Sequence, residues 1–414
     1  MVHLFRRLKV SWVAIVAPLA LCLVWAPWMS SQEFRARVIE SDFVPLYTAG
    51  RMVLEGQAQR LYDLPEQRRI EWRIAPELEQ RNAHNWFPYP PVIALIFSSV
   101  APLSLEDAYR VWGALNVALL LWLVQRCILA LEPKEKGDSA LIATRCLVFF
   151  PVVATLFQGQ LSFLIAMSFF AAWRAIRVNE PLRAGLYLSF LSIKPHMLLL
   201  PMFLLLWKRQ KASLLGIAIG GAFFAAISWL LVGTSGARDF AGVLSLAATG
   251  EDLFSLNRAS THCWRGLLLN MLGDSNPELI GALWLLGSLM ALSLLIAAWR
   301  GELRFASRRF NLQWSALITT IVFTAPHLHW HDLTLLLVAA ALAVAPTKEQ
   351  SCSQSPSRYL RLLLSCGYAA IWLAIVARDS APRITAPALI VALVVLTLEL
   401  RKLESVSGPN LERP

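Results

Sequence analysis

The sequence predicts an all-α polytopic membrane protein with about twelve transmembrane helices. Hydrophobic residues make up 57% of its 414 residues and charged residues only 16%. So few charges would not cover the surface of a soluble domain of this length. Apolar runs close to the roughly 20 residues that span a hydrocarbon core as a helix recur along the whole chain. We therefore treat residues 1–414 as one integral membrane domain.

Short basic clusters between the apolar runs predict the orientation. The formal charge is +11, but it is divided among these clusters and forms no single patch, so we expect no nucleic-acid partner. By the positive-inside rule the clusters are cytoplasmic, which places both termini in the cytoplasm and the protein in the inner membrane. The clusters are Arg6/Arg7/Lys9, Lys134/Lys136, Arg174/Arg177/Arg183, Lys208/Arg209/Lys211, Arg300/Arg304/Arg308/Arg309, Lys348/Arg358 and Arg401/Lys402.

The first helix, at about residues 10–28, is expected to be retained because its apolar stretch is long and no convincing small-x-small cleavage site follows it. It leaves the cytoplasm, so residues 30–108 form a large first extracytoplasmic loop that contains juxtamembrane helices. Four prolines interrupt residues 86–102, and this segment is therefore predicted to be interfacial or re-entrant. Val111–Leu131 then returns to the cytoplasm.

The later crossings follow from the remaining apolar runs. Residues 182–207 allow either a hairpin or one helix broken at Lys194-Pro195; the hairpin is preferred, because a single crossing would separate two basic clusters. A second extracytoplasmic loop is predicted at residues 233–278. The expected helices are at about 140–157, 160–176, 182–194, 196–207, 213–232, 279–299, 311–325, 332–346, 359–377 and 384–400.

Polar residues occupy three of the predicted outer turns, and Asp42 lies in the first loop on the same face. The turns are Gln158-Gly159-Gln160, Lys194-Pro195-His196 and residues 326–332. Ionisable groups at membrane depth are costly and usually functional. Two alternatives stay open: Lys194 could extend its ammonium group to the interface, and Asp42 could cap the following helix.

The run His327-x-His329-x-His331-Asp332 suggests either a metal site or a polar turn that binds a phosphate or a sugar. We expect the second, because no fourth ligand pattern and no glutamate in a base position accompany the histidines. The six cysteines show no pairing or metal spacing, so neither a disulfide nor a zinc site is predicted.

A series of motifs, in this order, resembles glycosyltransferase family 87, the polyprenyl-phosphate-dependent enzymes of the C-type membrane superfamily. Together they cover roughly residues 40–335. The spacing of Asn257 and Ser260 departs from the family pattern by one residue. The matching motifs are Asp42-Phe43 with 46–51, Glu55-Gly56 and 61–63; 87–91; Trp112 with Asn116; Gly159-Gln160; 184–186 through Lys194-Pro195; Asn257-x-x-Ser260 with Arg265; and His331-Asp332.

The resemblance implies inverting transfer of a hexose, with mannose the family's best-known donor sugar, from a polyprenyl-phosphate sugar to a lipid or glycan acceptor on the extracytoplasmic face. The partners are then membrane lipids, the donor and the acceptor, and no cofactor is expected. Asp42 is implied to be the general base. The residues expected to bind the donor phosphate or substrate are Lys194, His196, Arg258, Arg265, His327, His329, His331, Asp332, Gln160, Tyr47, Arg51, Tyr89 and Asn257.

Alternatives remain at this point. A transporter or flippase of lipid-linked sugars would also have many helices and buried ionisable residues, although the concentration of polar residues on one face favours an enzyme. A non-catalytic relative that binds lipid is a further alternative. Tyr47, Tyr62, Trp86, Tyr89 and Trp330 could stack on sugars or belong to the interfacial aromatic belt. The sugar, the acceptor and the oligomeric state stay open.

Overall fold

The structure is a computed structural model and describes residues 32–132, 136–249, 261–273, 276–347 and 356–406. All regular structure within these ranges is helical, which confirms the all-α prediction. The predicted first helix lies outside the described residues. The α-helices are α1 (Gln32–Ile39), α2 (Phe43–Leu54), α3 (Leu64–Ile74), α4 (Pro76–Gln80), α5 (Pro91–Ser98), α6 (Leu105–Leu131), α7 (Lys136–Leu147), α8 (Phe150–Gln158), α9 (Ser162–Arg177), α10 (Pro181–Ser189), α11 (His196–Trp207), α12 (Lys211–Thr249), α13 (Trp264–Leu272), α14 (Pro277–Ala298), α15 (Arg308–Thr324), α16 (Leu335–Val344), α17 (Arg358–Ala377) and α18 (Pro382–Val406).

Among the described residues, five helical segments are long and apolar enough to cross a membrane. They lie in α6, α12, α14, α17 and α18, and a sixth span results if α7 and α8, bent by 51°, are counted as one. A multi-pass membrane protein is therefore supported, whereas the expected number of about twelve helices is not confirmed. Several other predicted crossings correspond to shorter helices, such as the 9 residues of α10 and the 12 of α11.

The region predicted as the first outer loop contains short helices that pack on one another. An added Cβ at Gly50 of α2 would lie 2.6 Å from the carbonyl carbon of Phe97 in α5, so only glycine permits this close approach. Helix α5 has 8 residues and starts directly after Pro90. It is too short to span a bilayer, for which about 20 helical residues are needed. On which side of the membrane the region lies remains a prediction.

Helices α10, α11 and α12 form the predicted hairpin arrangement. The starts of α10 and α12 are adjacent, because a Cβ at Gly216 would lie 2.2 Å from the Leu182 carbonyl oxygen, and further along a Cβ at Gly220 would meet Ser189. The two helices thus run parallel, and α11 between them must run back. The chain breaks at Lys194, whose backbone is non-helical (φ −125°, ψ 83°). The hairpin is therefore preferred over one broken helix.

The predicted second outer loop, residues 233–278, is not an open loop in its described part. Helix α12 bends at Gly233 (φ 69°, ψ −172°) and continues to Thr249, and α13 follows at Trp264–Leu272. Glycine permits this positive φ, and the helix resumes because its continuation gains apolar contacts. The ring of Phe240 lies 5.1 Å from that of Tyr62, and Val243 is buried in the same cluster.

Two hydrophobic clusters build the core. One joins helices α1–α5 to the first part of α6 and to α12, and the larger one joins α8–α11 to α15–α18. Leu161 and Ile193 belong to the first cluster, whereas Leu328 and Leu333 belong to the second. The turns that carry the candidate polar residues therefore lie where the clusters meet.

Candidate functional site

A cavity of about 190 Å³ brings many of the predicted site residues together. The side chains come from the start of α2, the segment before α5, the turns after α8, before α11 and after α15, and the part of α12 beyond Gly233. It is lined by Asp42, Pro45, His84, Asn85, Trp86, Pro88, Tyr89, Gln160, Ile193, Lys194, Pro195, His196, Leu244, His327, His329 and His331.

Asp42 directly precedes α2, yet its side chain makes no capping hydrogen bond. Its Oδ2 instead accepts a hydrogen bond of 2.8 Å from Gln160 Nε2. Its backbone N–H donates to Gln158 Oε1 at 3.0 Å. The side chain remains 42% exposed. The capping role is thus replaced by a carboxylate that is oriented by its neighbours and accessible from the cavity.

The turn after α8 positions Gln160. Gly159 has a φ of 63°, and an added Cβ there would lie 2.9 Å from Cβ of Phe43, so glycine is required both for the backbone conformation and for the packing. The Tyr89 hydroxyl donates to Gln160 Oε1 at 2.9 Å. This bond identifies the Gln160 oxygen and leaves its amide group to donate to Asp42.

A buried ion pair adjoins the cavity, which its lysine lines. Lys194 Nζ is 2.6 Å from Asp332 Oδ1, and the two side chains are 11% and 3% exposed. Ser162 Oγ also donates to this oxygen, at 3.2 Å. Lys194 therefore directs its ammonium group inward, which argues against extension to the interface. An ammonium group has three hydrogens, so the pair leaves donor capacity for a ligand.

His331 lies between the two carboxylates. Its Nδ1 is 3.8 Å from Asp42 Oδ2, and its Nε2 is 3.4 Å from Asp332 Oδ2. The backbone of His331 is held in position because the Thr155 hydroxyl donates to its carbonyl oxygen at 3.2 Å. The imidazole thus connects the accessible carboxylate with the buried ion pair.

Five of the seven histidines of the chain line the cavity. The rings of His196 and His327 are 5.5 Å apart, and those of His327 and His329 are 6.3 Å apart. His196 Nε2 and His327 Nδ1 are buried without a hydrogen-bond partner. Burial and the nearby His196 lower the pKa of His327 to about 3, so this ring is neutral at pH 7. No group of three or more His, Cys, Asp or Glu within the described ranges has a geometry that could hold a metal ion.

Several predicted residues lie elsewhere. Tyr47 donates to the Leu103 carbonyl oxygen at 2.6 Å, and Arg51 donates to Ala101 and to Glu55 at 3.0 Å. The structure therefore does not bring Tyr47 and Arg51 to the cavity. Arg265 donates to the Pro326 carbonyl oxygen at 3.2 Å and so supports the histidine turn without lining the cavity. Asn257 and Arg258 lie outside the described residues.

Some cavity residues escaped the sequence analysis. His84 and Asn85 precede the motif at residues 87–91, in a segment without helical periodicity. Leu244 lies in the unexpected continuation of α12. The proximity of His84 to the motif, in a chain with only seven histidines, was the available signal. Trp86 was considered only as a possible aromatic contact.

A family model matches the central part of the chain. The model of glycosyltransferase family 87 matches residues 86–326, which is more than half of the chain. No curated protein and no solved structure matches this chain. The matched span includes Tyr89, Gln160 and Lys194. Asp42 and the turn from His327 onward lie outside it and join the site through the fold.

Proposed function

The chain belongs to glycosyltransferase family 87, and from this premise we propose that it transfers a hexose from a polyprenyl-phosphate sugar to a hydroxyl group of a lipid or glycan acceptor. Mannose is the first donor sugar to test. The reaction takes place on the extracytoplasmic face of the inner membrane, with both termini in the cytoplasm. Family membership makes the chain a glycosyltransferase, and its apolar helices make it a multi-pass membrane protein.

The observation that carries this proposal is the position of Asp42. Its carboxylate is accessible, fixed by Gln160 and part of the lining of a cavity that is also lined by the cation of Lys194. A base and a cation in one cavity suit a displacement in which the base activates the acceptor and the cation stabilises the leaving phosphate. We propose that the acceptor attacks the sugar from the face opposite that phosphate. Such a displacement inverts the configuration at C1.

In the proposed step, the acceptor oxygen forms a bond to C1 of the sugar while Asp42 takes its proton. The bond between C1 and the phosphate oxygen breaks, and its electron pair stays on that oxygen. The remaining ammonium hydrogens of Lys194 then stabilise the developing negative charge. The unpartnered nitrogens of His196 and His327 can form hydrogen bonds with hydroxyl groups of the sugar.

The size of the cavity supports a head group as its ligand. Its volume of about 190 Å³ is below the roughly 300–1,000 Å³ of pockets that hold drug-sized ligands. A sugar and a phosphate are therefore better suited to it than a prenyl chain. The prenyl chain of the donor then remains in the surrounding bilayer, against the exposed apolar surfaces of the helices.

The test uses purified protein in nanodiscs with a lipid extract from its host as acceptor. Radiolabelled polyprenyl-phosphate mannose and glucose are compared with the corresponding nucleotide sugars, for the wild type and for Asp42→Asn, which keeps the side-chain size but removes the base. We expect transfer from a polyprenyl-phosphate donor only, and its loss in the variant. Transfer from nucleotide sugars alone would contradict the proposal. So would a protein that, reconstituted into vesicles, moves the labelled lipid from one leaflet to the other without forming a product.

A further inference from the structure

Helix α3 fixes the segment that precedes α5 through three side chains. Gln67 Oε1 accepts a hydrogen bond from the Phe87 backbone N–H at 3.0 Å. Trp72 Nε1 donates to the Ala83 carbonyl oxygen at 2.8 Å. The third side chain is Glu71, which is fully buried. These bonds hold an irregular segment in one conformation against the cavity.

Glu71 forms a buried pair with His84. Its carboxylate contacts His84 Nδ1 and also accepts the Asn85 backbone N–H, at 3.2 Å to one oxygen and 3.3 Å to the other. Burial lowers the pKa of His84 to about 4, so the imidazole carries a single proton at pH 7. Where the Glu71 carboxylate accepts at this contact, that proton lies on Nδ1. The His84 side chain is 5% exposed, so the pair is enclosed by protein.

The other nitrogen of this imidazole has no partner. His84 Nε2 is buried and makes no hydrogen bond, although His84 lines the cavity. A buried polar atom without a partner is costly and uncommon, and it is most simply explained by a partner that arrives with a ligand. Trp86, which also lines the cavity, is held beside it: the two rings are 4.0 Å apart, and Arg68 lies 5.7 Å from the Trp86 ring.

We propose that Glu71 and His84 form a sugar subsite, in which His84 Nε2 accepts a hydrogen bond from a hydroxyl group of a sugar bound in the cavity. This inference rests on the proposed function and adds a residue that binds a hydroxyl group of the sugar directly. Glu71 is a positioning residue, because it sets the tautomer and orientation of the ring. A neutral imidazole with its proton on Nδ1 can only accept at Nε2. A phosphate oxygen without a proton cannot donate to it, whereas a hydroxyl group can.

The experiment measures binding in the Asp42→Asn background, so that turnover does not interfere. Polyprenyl-phosphate mannose is compared with analogues that each lack one hydroxyl group, for His84 and for His84→Ala. We expect His84→Ala to weaken binding of the complete donor by about tenfold, the loss of one hydrogen bond. In the protein that retains His84, one deoxy donor should bind about tenfold more weakly than the complete donor. In His84→Ala the same deoxy donor should bind as well as the complete donor, and this difference is the coupling between His84 and the hydroxyl group.

Two further variants separate a binding role from a structural one. Glu71→Gln can donate to Nδ1 and thereby move the ring proton to Nε2, so it should reduce the same hydroxyl-specific coupling. Arg69→Met removes the ion pair with Glu66 within α3 but no bond to the segment that carries His84, and we expect it to leave the coupling unchanged. A second arm uses methyl α-mannoside and its deoxy derivatives as inhibitors of transfer by the Asp42 enzyme, with and without His84→Ala. If only these inhibitors show coupling to His84, the hydroxyl group that His84 Nε2 binds belongs to the acceptor sugar and not to the donor.

Each result is decisive. Coupling to one hydroxyl in either arm supports the subsite. Normal donor binding with no coupling in either arm overturns the role of His84 and leaves the proposed function intact. If the protein binds no polyprenyl-phosphate sugar at all and transfers none, the proposed function fails, and the subsite fails with it.

Discussion

Two polar regions flank helix α2 and differ in how their charges are satisfied. At its start, the cavity exposes the Asp42 carboxylate and contains imidazole nitrogens without partners. Near its end, a groove of about 440 Å³ includes Arg35, Arg51 and Arg73. There each arginine is paired with a carboxylate, at 2.8 Å for Arg35 and 3.0 Å for Arg51. Satisfied charges indicate support of the fold, whereas unsatisfied buried groups indicate a ligand site.

The largest expected effect on stability lies in the ion pair of the cavity. Lys194→Met leaves the buried Asp332 carboxylate without its cation, which we expect to cost about 3–5 kcal/mol and to abolish transfer. The thermal unfolding midpoint in detergent and the transfer assay measure the two effects. The double variant Lys194→Met/Asp332→Leu should recover stability without activity. A single variant that stays both stable and active would remove this pair from the site.

Variants in the groove should lower stability but, unlike Lys194→Met, leave transfer unchanged. Arg51→Met removes the bonds to Ala101 and Glu55 and should cost about 1–2 kcal/mol, because the arginine is partly exposed. Tyr47→Phe should cost about 1 kcal/mol. In both variants, we expect transfer to stay within about twofold of wild type once folded protein is compared. A tenfold loss of transfer at unchanged stability would show that the groove is part of the active site.

The smallest effect concerns pH. The pKa of His327 falls from its usual 6.5 to about 3 on folding, so the unfolded chain binds a proton that the folded chain rejects between these values. Stability is therefore present above pH 6.5 and decreases as the pH falls towards 3. Between pH 7 and 6 the loss is about 0.7 kcal/mol. His327→Gln should flatten this part of the stability profile by that amount; an unchanged slope would mean that the ring is not held neutral.

The sequence predicted the convergence of Gln160, Lys194 and the histidine turn because alternate turns of a helical membrane protein return to the same face. It could not predict that Tyr47 and Arg51 leave the site. In a helix, residues nine positions apart point in directions about 180° apart, so Arg51 lies on the side opposite Asp42. Asp42, Tyr47 and Arg51 are close in the sequence and belong to one motif, but the helix directs their side chains to different sides.

Other differences depended on long-range packing. The continuation of α12 beyond Gly233 is stabilised by contacts with the first-loop helices, which a local pattern does not contain. His84 depends on Glu71, thirteen positions earlier in the chain. The segment between residues 81 and 90 forms no regular helix. Its sequence therefore gave no helical pattern from which the contact between Glu71 and His84 could be predicted.

The proposed role of Asp42 is that of the base in a cavity open to ligand. Its most direct test is single-turnover transfer from bound polyprenyl-phosphate mannose by Asp42→Asn, with Arg51→Met as the matched control from the other end of α2. We predict a rate at least about 100-fold lower for Asp42→Asn, with donor affinity and unfolding midpoint close to wild type, and a rate close to wild type for Arg51→Met. An Asp42→Asn rate within a few-fold of wild type would contradict the account.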